Sequence, residues 1–127
     1  MTRTAPARPR VLAVEDEPDY RLVLGEWLGR EFEAVVVDSP ERLFEEARAR
    51  RPDAVILDLG LPGVDGVDLC RRVREAPETA GVPAVVLSAF REEALYRKTL
   101  EEGVKSYLVK PIDGQALRRR LWRLIED

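Results

Sequence analysis

Short apolar runs recur along the chain and are separated by longer segments of mixed polarity. Each run has three or four residues, and most are rich in valine: VLAV at 11–14, AVVV at 34–37, AVIL at 54–57, AVVL at 84–87 and YLV at 107–109. Continuous apolar runs of this length are typical of strands that are buried on both faces, as in a parallel sheet covered by helices. The pattern therefore predicts five parallel strands.

The segments between and after these runs have the spacing of amphipathic helices. The five predicted helices start near Pro18, Pro40, Asp65, Arg91 and Asp113. Ser39 followed by Pro40 is a typical helix start, since serine caps the first turn and proline suits the first helical position. Gly103 is a typical C-terminal cap. Strands that alternate with helices predict an α/β domain with right-handed crossovers and helices on both faces of the sheet.

Composition narrows the class of protein. The chain has 127 residues, which suits one domain, and 24 acidic against 21 basic residues, for a net charge of −3. This balance predicts no nucleic-acid-binding surface. No apolar run approaches the ~20 residues that cross a bilayer, so no membrane contact is expected. We predict a disordered N-terminal tail at 1–9 and one domain at 10–127.

The residue types present limit the possible chemistry. The chain has one cysteine, Cys70, and no histidine. A zinc site is therefore not expected, and catalysis by a Ser-His-Asp or Cys-His arrangement is excluded. Any metal should be a hard cation that is held by oxygen atoms. We expect Cys70 itself to be a small buried hydrophobic residue.

Polar residues directly follow four of the five apolar runs. They are Glu15, Asp16 and Glu17 after the first run, Asp58 after the third, Ser88 after the fourth and Lys110 after the fifth. Ligands of doubly wound sheets bind beyond the carboxyl ends of the strands, where these side chains would meet. Clustered carboxylates favour a bound cation such as Mg²⁺. A cation and an ammonium beside a carboxylate nucleophile are the groups that phosphoryl transfer needs, with Asp58 as the nucleophile. The second run lacks such a residue and is predicted to lie at the sheet margin.

The motifs VLAVEDEP, AVILDLGLPGVDG, VVLSAF and GVKSYLVKPID occur in this order and span most of residues 10–126. Because it has these motifs in this order, the chain resembles the receiver domain of two-component response regulators, of the chemotaxis-regulator type. The resemblance implies a flavodoxin-like, doubly wound, five-stranded parallel sheet in the order 2-1-3-4-5 with five helices. It also implies a cytoplasmic signalling protein rather than an enzyme that turns over an outside substrate.

The resemblance implies a role for each residue of the predicted site. Asp58 matches the aspartate that accepts a phosphoryl group from a sensor histidine kinase or a histidine phosphotransfer protein. Asp16 matches a direct Mg²⁺ ligand and Glu15 matches its neighbour, which often acts through water. Asp58 itself and the backbone carbonyl of Gly60 would complete the set of protein ligands.

Further matches concern the response to phosphorylation. Lys110 matches the lysine that pairs with the phosphoryl group, and the Lys110–Pro111 peptide bond is expected to be cis. Ser88 matches the switch hydroxyl, and Tyr107 matches the aromatic residue that moves inward with it. The surface of the fourth helix, fifth strand and fifth helix would then change, which would control an output domain, a partner or a homodimer.

Two positions depart from the common pattern. Gly60 removes the side chain two residues after Asp58, and Phe90 places an aromatic ring two residues after Ser88. We expect Phe90 to shield the acyl phosphate from water, while Gly60 leaves the other side open.

The fifth helix carries candidate interface residues. Trp122 is predicted to lie partly outside the apolar stripe of the helix, near Arg119 and Arg123. Tryptophan and arginine are enriched at binding interfaces, although a solvated basic helix face is an equally good interpretation.

Three other functions fit these residues less well. A phosphatase of the haloacid dehalogenase type would have a second acid where this chain has Gly60. A flavodoxin-like cofactor binder would have a glycine- and hydroxyl-rich loop after the first strand, where this chain has EDEPDY. A pseudo-receiver that binds partners without phosphorylation would lack some of the key residues, all of which are present here.

Overall fold

The computed structural model describes residues 8–127. The disordered tail predicted at 1–9 falls mostly on residues 1–7, which lie outside the described residues. Arg8 and Pro9 were assigned to the tail but contact the domain. The Arg8 side chain donates to the Gly29 carbonyl at 2.8 Å, and the Pro9 carbonyl accepts from the Glu33 amide at 2.9 Å. These two residues belong to the folded part of the chain.

Five strands alternate with five helices, as predicted. In chain order they are β1 Arg10–Val14, α1 Pro18–Gly29, β2 Glu33–Val37, α2 Pro40–Ala49, β3 Ala54–Leu57, α3 Gly66–Glu75, β4 Ala84–Ser88, α4 Glu93–Glu101, β5 Ser106–Val109 and α5 Gly114–Glu126. The strands form one parallel sheet in the order β2-β1-β3-β4-β5. The predicted flavodoxin-like order and the marginal position of β2 are confirmed. Among residues 8–127, no helix is long and apolar enough to cross a membrane.

Local capping explains where most helices begin. The side chains of Ser39, Asp65 and Asp113 accept hydrogen bonds from amides in the first turns of α2, α3 and α5. Gly103 follows α4 with a φ of +92°, a left-handed conformation that glycine adopts without steric cost. Helix α4 begins at Glu93, two residues later than predicted, because Glu92 keeps an extended backbone and makes no side-chain capping bond.

The sheet separates two apolar layers. Leu12, Leu57 and Val86 lie in the layer that packs against α2 and α3. Val11 and Ile56 lie in the opposite layer, which packs against α1 and α5. Successive residues of a strand point to opposite faces, so the continuous apolar runs of the sequence fill both layers. The central strands β1, β3 and β4 are buried throughout and form a rigid support for the loops that follow them.

Cys70 is a residue of α3 that points into the apolar layer and is buried, as predicted. Burial raises the pKa of its thiol to about 12. At neutral pH the side chain is therefore an inert thiol that packs as a small hydrophobic residue.

Helices α1 and α5 meet at a close contact between Gly114 and Trp27. A Cβ atom at Gly114 would lie 2.5 Å from Cγ of Trp27, well inside van der Waals contact. We expect Gly114→Ala to lower the free energy of unfolding by about 1–3 kcal/mol, because either the indole or α5 has to move. Denaturant unfolding measures this change.

Gly25 provides the matched control for that measurement. It lies inside α1, and a Cβ atom there would meet nothing within 4 Å. Gly25→Ala should raise the free energy of unfolding by about 0.5–1 kcal/mol through the lower backbone entropy of alanine in the unfolded chain. Equal effects at both positions would contradict the steric explanation for Gly114.

Candidate functional site

The predicted site residues meet at the carboxyl edge of the sheet. Asp58 directly follows β3 and is buried. Its Oδ1 atom accepts a hydrogen bond from the Gly60 amide at 2.8 Å, and its Oδ2 atom lies 3.5 Å from Nζ of Lys110. The loop after β3 therefore fixes one oxygen of the carboxylate, while the other faces a positive charge.

Three carboxylates lie close together at this edge. Glu15, Asp16 and Asp58 each offer an oxygen atom, and these oxygens all lie within 4.8 Å of one another. Glu15 and Asp58 are buried, and Asp16 is the most exposed of the three. This donor set consists of hard oxygen ligands with one side open to solvent, which fits Mg²⁺ with several bound waters. Glu17 does not join the cluster and instead caps α1 by accepting from the Tyr20 amide at 2.8 Å.

Lys110 supplies the positive charge of the site. Its Nζ atom lies 2.7 Å from Oε1 of Glu15, and its amide donates to the Ser88 carbonyl at 2.7 Å. The Lys110–Pro111 peptide bond is cis, as predicted. Burial lowers the pKa of Lys110, but the hydrogen bond to Glu15 and the charges of Asp58 and Glu15 outweigh burial and leave the pKa above its ordinary value. Lys110 is therefore an ammonium at neutral pH.

The carboxylates carry more negative charge than Lys110 balances. Burial raises the pKa of Glu15, and the hydrogen bonds from Lys110 and from the Glu17 amide oppose only part of this effect. The nearby charge of Asp58 raises the pKa of Glu15 further. A cation bound between these carboxylates would relieve both the desolvation and the repulsion.

Ser88 and Tyr107 both bind the main chain of Phe90. Oγ of Ser88, which is buried, accepts from the Phe90 amide at 3.0 Å. The hydroxyl of Tyr107 donates to the Phe90 carbonyl at 2.8 Å, and its ring lies 5.7 Å from the ring of Tyr96 on α4. The loop between β4 and α4 therefore connects the end of β4 to the α4–β5 surface through a single residue.

The structure corrects one expectation about Phe90 and Gly60. We expected them to act on opposite sides of Asp58. A Cβ atom at Gly60 would lie 3.4 Å from Oδ1 of Asp58 and 3.7 Å from Cε2 of Phe90. The Phe90 ring therefore lies beside Gly60, at van der Waals distance from the position of a Cβ atom there, and on the same side of the carboxylate.

Two residues of α1 belong to the site but were not predicted. Nη1 of Arg21 donates to the carbonyls of Glu15 and Asp16, at 3.0 and 2.8 Å, and so braces the acidic loop. The ring of Tyr20 lies below Lys110, with Nζ 4.1 Å from the ring centroid. Nothing in the sequence pairs Tyr20 with Lys110, because the two residues are 90 positions apart.

The candidate interface residues of α5 are not equivalent. The Trp122 ring lies 5.0 Å from the ring of Phe32, and its indole N–H donates to Glu31 at 2.9 Å. Trp122 thus packs against the domain itself, at the end of α1. Trp122 is half-buried, in agreement with its predicted position partly outside the apolar stripe, and Arg119 and Arg123 are exposed.

Comparison with known proteins agrees with this geometry. A family model for the response regulator receiver domain matches residues 11–122. The chain is a response-regulator receiver domain. A solved response-regulator structure from Chloroflexus aurantiacus is 31% identical and has a TM-score of 0.85, over 94% of this chain and 99% of that one.

Relatives of this receiver domain belong to different kinds of protein. Sensor histidine kinase TmoS of Ectopseudomonas mendocina is 39% identical over 93% of this chain and 12% of its own length. The phosphate regulon regulatory protein PhoB of Rhizobium meliloti is 37% identical over 89% of this chain and 50% of its own length. This chain therefore spans half or less of these two relatives, which carry further regions.

Proposed function

We propose that the receiver domain is a phosphoacceptor switch in which Asp58 takes a phosphoryl group from a phosphohistidine. The donor would be a sensor histidine kinase or a histidine phosphotransfer protein. The observation that carries this proposal is the position of Asp58, whose carboxylate belongs to the cluster of three carboxylates and lies 3.5 Å from the Lys110 ammonium. A protein named as a histidine kinase among the relatives supports the choice of donor.

In the proposed transfer, a carboxylate oxygen of Asp58 attacks phosphorus. The new P–O bond forms as the P–N bond of phosphohistidine breaks, and the leaving imidazole nitrogen takes the bonding electron pair. Lys110 would stabilise the negative charge on the phosphoryl oxygens, as pre-positioned cations do in phosphoryl transfer. The hydrogen bond from Gly60 to Asp58 holds the carboxylate in orientation during the attack.

The proposed ligands of Mg²⁺ are the carboxylates of Glu15, Asp16 and Asp58 and the backbone carbonyl of Gly60. When bound, Mg²⁺ would neutralise charge on the phosphoryl oxygens. Arg21 holds the carbonyls of Glu15 and Asp16 and so keeps both side chains on the loop in place.

The proposed switch runs from Asp58 through Phe90 to Tyr107. A phosphoryl group adds about −1.5 to −2 charges and three acceptor oxygens. Ser88 and Lys110 are the neighbouring donors, and Ser88 would release the Phe90 amide if its hydroxyl turned towards the phosphoryl group. A shift of the inactive and active populations from 99:1 to 1:99 needs about 5.5 kcal/mol. Charge-assisted hydrogen bonds contribute about 1.5–3 kcal/mol each, so two at the upper end of this range, or three near its middle, supply that amount.

The proposed output surface consists of α4, β5 and α5. Tyr96 and Leu100 of α4 are 47% and 37% exposed, and Arg119 and Arg123 lie exposed on α5. Aromatic, leucine and arginine side chains on one surface can supply both apolar anchors and charge selection for an output domain or a second copy.

Phosphorylation by acetyl phosphate tests the proposed function directly. With Mg²⁺, the wild-type chain should gain one phosphoryl group, and mass spectrometry should locate it on Asp58. Chelation of the cation should prevent the gain. A chain that stays unmodified with acetyl phosphate and with a phosphorylated kinase, and that does not bind beryllofluoride, would be a pseudo-receiver.

The shared position of Phe90 and Gly60 predicts how the phosphoryl group is lost. Phe90→Asn should speed autodephosphorylation severalfold, because the ring lies beside Gly60, on the Oδ1 side of Asp58, where it would limit the approach of water. The decay of purified phosphoprotein measures this rate. A side chain at residue 60 would contact the Phe90 ring. The effects of Phe90→Asn and Gly60→Asn on the dephosphorylation rate should therefore not add in the double variant. Additive effects, or unchanged rates, would contradict the shielding model.

A further inference from the structure

The Lys110 ammonium lies over an aromatic ring as well as beside two carboxylates. Nζ is 4.1 Å from the centroid of the Tyr20 ring, 2.7 Å from Oε1 of Glu15 and 3.5 Å from Oδ2 of Asp58. The face of an aromatic ring attracts a cation through its quadrupole, most strongly where the pair is shielded from water. The ammonium therefore contacts one aromatic ring and two carboxylates at the same time.

The contact uses the ring of Tyr20 and not its hydroxyl. The hydroxyl oxygen is buried and has no hydrogen-bond partner among the described residues. A buried hydroxyl without a partner costs stability, so hydrogen bonding gives no reason for tyrosine at this position. The part of Tyr20 that contributes to the site is therefore its aromatic face.

The ring of Tyr20 is itself held in place by α1 and α5. Trp27 meets it edge to face, with ring centroids 6.1 Å apart and an interplanar angle of 87°. Trp27 in turn lies against Gly114, where no other residue leaves enough room for the indole. A series of contacts thus connects Gly114, at the start of α5, through the rings of Trp27 and Tyr20 to the ammonium of Lys110.

We propose that Tyr20 is a positioning residue that holds the Lys110 ammonium beside Asp58 through a cation–π contact, an inference that rests on the proposed function. Lysine has a flexible four-carbon stem and binds as a point charge, so its position depends on its surroundings. Glu15 alone would draw the ammonium towards β1, since it makes the shorter of the two ion pairs. The ring, whose centroid lies 4.1 Å from Nζ, would keep the ammonium within reach of both carboxylates.

The test compares two substitutions at one position. Tyr20→Phe keeps the ring and removes the unpartnered hydroxyl, and Tyr20→Leu keeps apolar volume and removes the ring. With acetyl phosphate and saturating Mg²⁺, we expect Tyr20→Leu to be phosphorylated about three- to tenfold more slowly than wild type. Tyr20→Phe should retain the wild-type rate within about twofold, since it retains the cation–π contact. If Tyr20→Leu does not fold, as judged by thermal unfolding, Tyr20→Met replaces it, because methionine adapts to the space.

Two further measurements separate positioning from general damage. The affinity for Mg²⁺ alone should not weaken in Tyr20→Leu, because Glu15, Asp16 and Asp58 are untouched. In a Lys110→Ala background, Tyr20→Leu should slow phosphorylation no further, since the ring acts through the lysine. The inference would be overturned if Tyr20→Leu were phosphorylated at the wild-type rate. It would also be overturned if the substitution lowered the phosphorylation rate by the same factor in the wild-type and Lys110→Ala backgrounds. The proposed function would stand in either case. A wild-type chain that is not phosphorylated would overturn both.

Discussion

The Asp58→Asn variant is expected to gain no detectable phosphoryl group from acetyl phosphate or from a phosphorylated kinase. Asparagine removes the negative charge and the nucleophilic oxygen while its amide oxygen can still accept the hydrogen bond from Gly60. The loop after β3 should therefore keep its shape, and the loss should be chemical rather than structural. Mass spectrometry of the intact protein measures the incorporation, and thermal unfolding checks the fold.

Asp65 provides a matched control for this variant, because it is an aspartate of the same loop with a different task. It caps α3 by accepting from the amides of Val67 and Asp68. Asparagine caps a helix about as well as aspartate, so Asp65→Asn should be phosphorylated at the wild-type rate. Phosphoryl incorporation into Asp58→Asn at another residue would show that Asp58 is not the acceptor.

Lys110→Ala is expected to slow phosphorylation by about 100- to 1000-fold, the usual effect of removing one pre-positioned charge from a transfer site. Lys110 is a cationic side chain at the carboxyl edge of the sheet, and its ammonium contacts Glu15 and Asp58. Asp58 would remain as the nucleophile, so a slow residual reaction should persist. The initial rate with acetyl phosphate, measured at saturating Mg²⁺, gives the effect.

Lys105 is the control for Lys110, since it is an exposed lysine just before β5. Lys105→Ala should leave the phosphorylation rate unchanged. The affinity for Mg²⁺ in Lys110→Ala should be retained or increased, because loss of a nearby ammonium makes the carboxylate cluster more negative. A Lys110→Ala chain that is phosphorylated as fast as wild type would exclude a role for this lysine in transfer.

Local patterns in the sequence predict most of the fold. The valine-rich runs become the buried strands, since both faces of each central strand lie against apolar layers. Capping residues such as Ser39 and Asp65 fix helix starts through contacts with the next few residues, which a sequence displays directly. The convergence of Asp58, Ser88 and Lys110 also follows, because parallel strands bring their carboxyl ends to one edge.

Contacts between side chains of different elements could not be predicted in this way. The sequence suggests that Phe90 and Gly60 matter, but only the tertiary structure places the ring beside Gly60. The same is true of Trp122. Helical spacing puts it at the margin of the apolar stripe, but its contact with the Phe32 ring is visible only in the tertiary structure.

The sequence by itself determined the order of strands and helices, the acidic cluster and the lysine opposite it, because these depend on periodicity and on strand ends. The tertiary structure alone decided what surrounds that lysine. Tyr20 and Lys110 lie near opposite ends of the chain, and their contact depends on the packing of α1 against α5 through Trp27 and Gly114. Such a contact follows from the angle and distance between two helices, which no local pattern encodes.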